Sequence, residues 1–181
     1  FFIYNMGNEG LMSIYGLMGT FAALGFFLIP NLTKKFRKKD LLAGIIVLDI
    51  VVRIVFFMTG YENVPMLLVM LMLTQLFHAS LGPVMSSMIA ETIEYSEVKT
   101  GRRCEAITFS GQTLMGKLSA AIAGTLTGLI LIAIGYVPEA AVQSPGTLNG
   151  LFMVVSLLPV AGGLIRLVIL RYYTYTAEAY K

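Results

Sequence analysis

The 181-residue sequence is poor in charged and reactive side chains. Only 13% of its residues are charged, tryptophan is absent, and there is a single histidine and a single cysteine. One cysteine excludes an intrachain disulfide, and one histidine with one cysteine is too few for a typical zinc site. The low charge also excludes a soluble enzyme domain, a disordered tail and a coiled coil, because each of these carries a larger charged fraction.

Long hydrophobic runs take up most of the chain instead. Hydrophobic residues make up 57% of the sequence, and the mean hydropathy is +0.80. A helix that crosses the hydrocarbon core of a bilayer needs about 20 mostly apolar residues. Five stretches meet this requirement, so we predict an all-α, polytopic membrane helix bundle. The predicted spans are residues 11–29, 41–59, 65–90, 107–136 and 147–172.

The connectors between these spans differ in their basic residues. Residues 30–40, residues 91–106 and the C-terminal tail carry ten Lys or Arg (five, three and two), whereas the opposite connectors carry none. The positive-inside rule therefore predicts that both loops and the C terminus at Lys181 are cytoplasmic, in a multi-pass protein of the inner membrane. We interpret the basic run at 34–39 as a topology anchor, with an anionic-lipid site as the alternative and no role for nucleic acid.

Four ionisable residues lie deep within predicted spans, where each costs about 2.5–3.5 kcal/mol on insertion scales. Asp49 and Arg53 are four residues apart on one helix face, which favours a self-neutralising pair; a coupling-ion or proton site is the alternative. Arg166 is close enough to the cytoplasmic end of its helix to extend to the headgroups. Lys117 has no acid within one turn, so its counter-charge must come from another helix or from a ligand.

Lys117 belongs to a polar stripe on the predicted fourth span. Ser110, Thr113 and Lys117 follow the spacing i, i+3 and i+7, and Gln112 lies one step around the helix. Their hydroxyl, amide and ammonium groups supply donors and acceptors for the hydroxyls of a sugar. Small residues also recur at every fourth position of this helix, which favours close approach of another helix. They are Gly116, Ala120, Gly124 and Gly128.

A second polar stripe follows the predicted third span. Gln75, His78, Gly82 and Ser86 share a helix face, which we expect to face a polar cavity or a neighbouring helix. His78 is interpreted as a hydrogen-bonded interior residue, with a proton relay as the alternative. Pro83 is expected to kink or weaken this helix.

The most specific stretch is residues 90–117, AETIEYSEVKTGRRCEAITFSGQTLMGK. An acidic pair beside a Tyr precedes a Glu, Lys-Thr-Gly and Arg, and a helix with Gln-Thr and Lys follows. This order resembles the signature of the glycoside–pentoside–hexuronide:cation symporter family, within the major facilitator superfamily. The matching residues are Glu91, Glu94, Tyr95, Glu97, Lys99, Thr100, Gly101, Arg103, Glu105, Gln112, Thr113 and Lys117.

The resemblance implies a twelve-helix secondary transporter that moves a glycoside, pentoside or hexuronide by alternating access. This chain would be its C-terminal half, and the sodium or proton that drives symport would bind in the N-terminal half. No cofactor or metal is therefore expected here, and the implied partners are the sugar, the coupling cation, the bilayer and the other half. The residues implied to line the sugar cavity are Gln112, Thr113 and Lys117. Those implied for a cytoplasmic gate are Glu91, Glu94, Glu97 and Arg103.

A non-transporting scaffold or sensor built on a transporter-like half is the alternative function. In that case the small residues of the fourth span would serve helix association alone. A membrane enzyme is not expected, because the sequence offers no nucleophile–base pair, metal-ligand cluster or phosphate-binding loop.

Overall fold

The computed structural model describes residues 1–23 and 25–173, and this part of the chain is helical without strands. The C terminus predicted to be cytoplasmic, with Lys181, lies outside the described residues. Five helical stretches are long and apolar enough to cross a membrane, which confirms the all-α, five-span fold class. The helices are α1 (Gly10–Ala22), α2 (Gly25–Lys35), α3 (Lys38–Thr59), α4 (Val64–Thr100), α5 (Glu105–Ala133), α6 (Pro145–Ser156) and α7 (Leu158–Arg171).

The two basic connectors are shorter than predicted. α2 continues to Lys35 and α3 begins at Lys38, so the predicted loop at 30–40 reduces to two residues. α4 continues to Thr100, so the predicted loop at 91–106 reduces to residues 101–104. The helices therefore extend past the predicted spans, because Lys, Arg and Glu continue a helix readily beyond an apolar run.

Local signals mark the starts of α4 and α6. The side-chain oxygen of Asn63 accepts a hydrogen bond from the Met66 amide at 3.2 Å, and Ser144 Oγ accepts one from the Thr147 amide at 3.1 Å. A proline lies in the first turn after each cap, where its missing N–H leaves no intrahelical bond unmade. α4 also stays helical through Pro83.

α4 packs against α1, α2, α3 and α5, and α3 packs against α2, α4, α6 and α7. Apolar side chains from four helices form one buried cluster around α3. Its buried members are Ile29, Leu42, Ile45, Ile46, Ile50, Val84, Met88 and Leu170.

A second, aromatic cluster surrounds Phe152 of α6. The Phe152 ring lies 5.3 Å from that of Phe56 and 5.0 Å from that of Tyr61, both edge-to-face, measured between centroids. Phe57 stacks on it at 5.7 Å. Such ring pairs add to the free energy gained by apolar burial. This cluster therefore joins α6 to the end of α3 and to the segment before α4.

α5 is held at its two ends and has no buried residue along its length. At its C-terminal end, Thr147 Oγ1 lies 2.9 Å from the carbonyl oxygen of Ile134, within hydrogen-bonding distance. Tyr4 packs edge-to-face on Tyr136 with the ring centroids 5.8 Å apart. A hydrogen bond with Tyr4, and then partial desolvation, raises the pKa of the Tyr136 phenol.

The last span is interrupted, which the sequence did not predict. α6 ends at Ser156 and α7 begins at Leu158. Beyond the interruption, α7 lies very close to α3 at Gly163, where an added Cβ would lie 2.9 Å from Ile50 Cγ1. A larger residue at position 163 would therefore require the Ile50 side chain to move.

Gly163→Val in the full-length protein is therefore expected to lower the free energy of unfolding by roughly 1–3 kcal/mol through overpacking. Thermal unfolding in detergent would measure the loss. Gly162→Val is the matched control, because a Cβ at Gly162 meets nothing within 4 Å. Equal losses in the two variants would show that the close approach of α3 and α7 is not the cause.

Candidate functional site

The acidic residues predicted for a cytoplasmic gate lie on the last turns of α4, and Glu91 pairs with the start of α3. Lys38 Nζ lies 2.9 Å from Glu91 Oε1, and it also donates to the Ser87 carbonyl oxygen at 3.3 Å. The side chains of Lys38 and Glu91 are only 23% and 16% exposed. Because the pair is shielded from water, its charges attract each other more strongly than those of a surface pair.

Arg103 forms a second ion-pair group, which joins α4 to α5. Its Nη1 donates to Glu97 Oε2 and its Nε donates to Glu105 Oε2, both at 3.0 Å. The hydrogen bonds to Glu105 and then to Glu97 raise the pKa of the Arg103 guanidinium. All three side chains are exposed, so this group fixes the direction of the turn rather than adding much stability.

The turn between α4 and α5 depends on Gly101. Its φ of 68° is left-handed, and its amide donates to the Glu97 carbonyl oxygen at 2.8 Å to close the last turn of α4. Glycine adopts this conformation without steric penalty. Glu105 then begins α5, where a negative charge is favoured by the helix dipole. The Lys-Thr-Gly-Arg-Arg motif is therefore a helix end followed by a tight turn.

Three of the four residues predicted for the gate thus enter ion pairs. Glu91 belongs to one group, and Glu97 and Arg103 belong to the other. Glu94 is exposed, and within residues 1–23 and 25–173 it makes no ion pair. The carboxylate of Glu94 is therefore available to a cation outside the described residues.

The predicted sugar-cavity residues all lie on α5 and are exposed. Thr113 Oγ1 donates to the Phe109 carbonyl oxygen at 2.9 Å, so the oxygen still has lone pairs to accept from a ligand. Lys117 forms no ion pair with any residue that the structure describes. Gln112 shares the same exposed region of the helix. The structure therefore groups the three residues on one helix and does not enclose them with other described helices.

The small residues of α5 also face open space. A Cβ added at Gly116, Gly124 or Gly128 would meet no atom within 4 Å among the described residues. The predicted close approach of another helix is not made by any helix of this part of the chain.

A cavity of about 760 Å³ lies between α4 and α7, with α3 on its inner side. Its lining is mostly apolar, but His78 and Gly82 of the predicted α4 stripe line it, and Arg166 of α7 joins them. The stripe therefore faces a cavity at two of its four positions. Arg166, which the sequence assigned to the headgroups, also lines this cavity.

Sequence reasoning missed the ion pair of Lys38 and the backbone hydrogen bond of Lys39. Lys38 neutralises Glu91, and Lys39 Nζ donates to the Tyr173 carbonyl oxygen at 2.6 Å, near the end of α7. A signal for these contacts existed, since an acid at the end of a span needs a cation and the basic run lies on the same predicted side. The periodicity of the run does not show which lysine turns toward which helix.

The class of protein follows from comparison with known families. A family model described as MFS/sugar transport protein matches residues 1–177. The chain belongs to this family. Its relatives are membrane transporters, so the protein is not an enzyme.

Three relatives illustrate the match. YnaJ, an uncharacterized symporter of Bacillus subtilis, is 31% identical over 98% of this chain and 38% of its own length. The isoprimeverose transporter of Lactiplantibacillus pentosus is 31% identical over 90% of this chain and 34% of its own length. The glucuronide carrier protein homolog of Escherichia coli is 29% identical over 98% and 39%. The chain spans less than two-fifths of each relative, and these matches confirm the resemblance to the glycoside–pentoside–hexuronide family.

The shielded pair between Lys38 and Glu91 is expected to contribute measurably to stability. A double-mutant cycle with Lys38→Met and Glu91→Gln in the full-length protein should give a coupling energy of roughly 1 kcal/mol or more. Chemical unfolding in detergent would measure it.

Arg37 and Asp40 provide the matched control for this cycle. Their charged atoms are 3.9 Å apart and their side chains are 55% and 67% exposed, so their coupling energy should be near zero. The same coupling in both cycles would contradict a special role for the shielded pair.

Proposed function

We propose that the chain is the C-terminal half of a twelve-helix symporter that moves a glycoside, pentoside or hexuronide with sodium or a proton. The family membership supports a transporter, and the names of three relatives support symport, a glucuronide and isoprimeverose as substrates. The fraction of each relative that the chain covers supports its assignment as part of a longer protein. The observation that carries the proposal is Lys117, which lies within a polar stripe of a span and forms no ion pair with a described residue.

Lys117 is the most expensive residue to place in the membrane. An unpaired ammonium in hydrocarbon costs several kcal/mol, so the exposed side of α5 faces a hydrated cavity or the other half of the transporter. Within such a cavity, Lys117 and Gln112 donate to sugar oxygens, and Thr113 and Gln112 accept from sugar hydroxyls. A cation at this position suits a neutral sugar through hydrogen bonds and a uronate through charge.

The charged ends of α3, α4 and α5 form the cytoplasmic gate in this proposal. The pair between Lys38 and Glu91 and the Arg103 group hold the three helix ends together as one unit. Glu94 then takes a cation from the N-terminal half when the cytoplasmic side closes, and releases it when that side opens. Breaking and re-forming an ion pair to the exposed Glu94 carboxylate requires little free energy, which suits a gate that must open in every cycle.

Lys117→Ala in the full-length protein is expected to reduce sugar accumulation at least tenfold without affecting membrane insertion, because the polar contact to the sugar is lost. Uptake of labelled sugars in cells, with sodium and proton gradients tested separately, would measure this. Lys34→Ala is the matched control, since it removes the same charge from an exposed position on the last turn of α2 and should transport normally. Normal accumulation by a well-inserted Lys117→Ala protein would contradict the assigned role.

The alternative scaffold function makes a different prediction. It expects no gradient-driven accumulation of any glycoside, pentoside or hexuronide by the unmodified protein. It also expects sugars to leave the chemical modification of Lys117 unchanged. Sugar-dependent protection of Lys117 from an amine reagent would therefore exclude it.

The proposed orientation is testable through Cys104, which lies in the turn between α4 and α5. In a full-length protein whose other cysteines are replaced, a membrane-impermeant maleimide should label inverted vesicles and leave right-side-out vesicles unlabelled. The control combines Cys104→Ser with Val142→Cys, because Val142 is 82% exposed on the opposite connector and should give the reverse result. Labelling of Cys104 from the outside would invert the topology.

A further inference from the structure

The proline just after the interruption of the last span removes the usual donor of one particular backbone carbonyl. In an α-helix the carbonyl oxygen of residue 155 accepts from the amide of residue 159. Residue 159 is a proline, which has no N–H, so Val155 loses this bond. In a membrane no water replaces it, and an unsatisfied carbonyl is costly there.

Arg53 of α3 donates to this same carbonyl. Its Nη1 lies 3.3 Å from the Val155 oxygen, and its Nε donates to Asp49 Oδ2 at 2.9 Å. The side chains of Arg53 and Asp49 are 16% and 20% exposed, so both contacts are shielded. Asp49 therefore orients a guanidinium whose other end satisfies the carbonyl freed by the proline.

α3 also contacts the other side of the interruption. Gly163 of α7 is buried against Ile50, the residue that follows Asp49. The guanidinium thus holds the end of α6 while Ile50 holds α7, and both come from a short stretch of α3. This arrangement fixes the position of both helices relative to α3.

We propose that Asp49 and Arg53 are positioning residues that hold α6 and α7 in place at the interruption of the last span by replacing the hydrogen bond that Pro159 removes. The pair is then a structural clamp rather than a site for the coupling ion. The inference rests on contacts within this chain, so it stands or falls independently of the proposed transport function.

A test of the clamp must separate the loss of the Arg53 hydrogen bond from the cost of leaving the Asp49 carboxylate without a counter-charge. Asp49 Oδ1 is buried and has no hydrogen-bond partner among the described residues. Removing Arg53 alone would leave an unpaired charge and lower stability for that reason. The test therefore always combines Arg53→Met with Asp49→Asn in the full-length protein and compares this paired replacement with the native pair, so that neither charge is left without its partner.

This paired replacement and Pro159→Ala form a double-mutant cycle. The paired replacement should lower the Tm by about 3 °C or more when Pro159 is present. It should lower the Tm by less than half as much when position 159 is alanine, because the new amide donates to the Val155 carbonyl oxygen. Equal losses in the two backgrounds would overturn the clamp.

Insertion itself decides the question if the protein with the paired replacement does not reach the membrane. Restored insertion on adding Pro159→Ala would support the clamp, and continued failure at the same level would contradict it. The rescue is specific, because a proline-to-alanine change has no reason to compensate for a lost ion site.

Spin labels at Asn149 of α6 and Val168 of α7 measure the relative position of the two helices directly. In a straight helix these positions would be about 28 Å apart. The paired replacement should broaden the measured distance distribution with Pro159 present and leave it narrow with alanine at position 159. Labels at Met66 and Met85, which have the same separation along α4, should not change. Loss of cation-dependent transport with unchanged distances in every variant would overturn the clamp in favour of an ion site.

Discussion

A backbone carbonyl inside a bilayer has no water to bind, and every helix of this chain depends on meeting that constraint. Most of the backbone meets it through intrahelical hydrogen bonds. Pro30, Pro83 and Pro159 each remove one such bond. Beside Pro159, the guanidinium of Arg53 lies within hydrogen-bonding distance of the Val155 carbonyl oxygen. Where helices end, side chains or a left-handed glycine take over, as at Ser144 and Gly101. Arg53 and Ser144 are thus polar residues in an apolar sequence whose contacts satisfy backbone groups.

The same reasoning separates the charges by task. Asp49 neutralises Arg53 within the bundle, and Glu91 neutralises Lys38 at the end of α4. Both pairs are shielded from water. The first lies on α3 alone, and the second holds the start of α3 against the end of α4. Lys117 and Arg166 differ, because neither forms an ion pair with a described residue. Arg166 lies five residues before the end of α7, whereas Lys117 lies twelve residues inside α5, a helix long enough to span the membrane. A charge that the bundle does not use for its own stability is the best candidate for contact with a ligand.

α5 shows how the proposed function and the packing are related. Its polar stripe and its small residues both lie on a helix without buried positions. Helices that line a transport pathway must leave one face free for the substrate and for the opposing half of the transporter. The position of α5, held at its ends by the Gly101 turn and by Thr147, is consistent with that arrangement.

The sequence by itself determined the all-α class, the five spans and the family, because hydrophobic run length and a linear motif depend only on residue order. It also predicted the pairing of Asp49 with Arg53, since four residues separate them on one helix. It did not determine where α2 and α4 end, because polar residues with high helix propensity continue each helix beyond its apolar stretch. Only the tertiary structure decided that Lys38 contacts Glu91 and that Arg53 reaches Val155, because these contacts depend on which faces of distant helices meet.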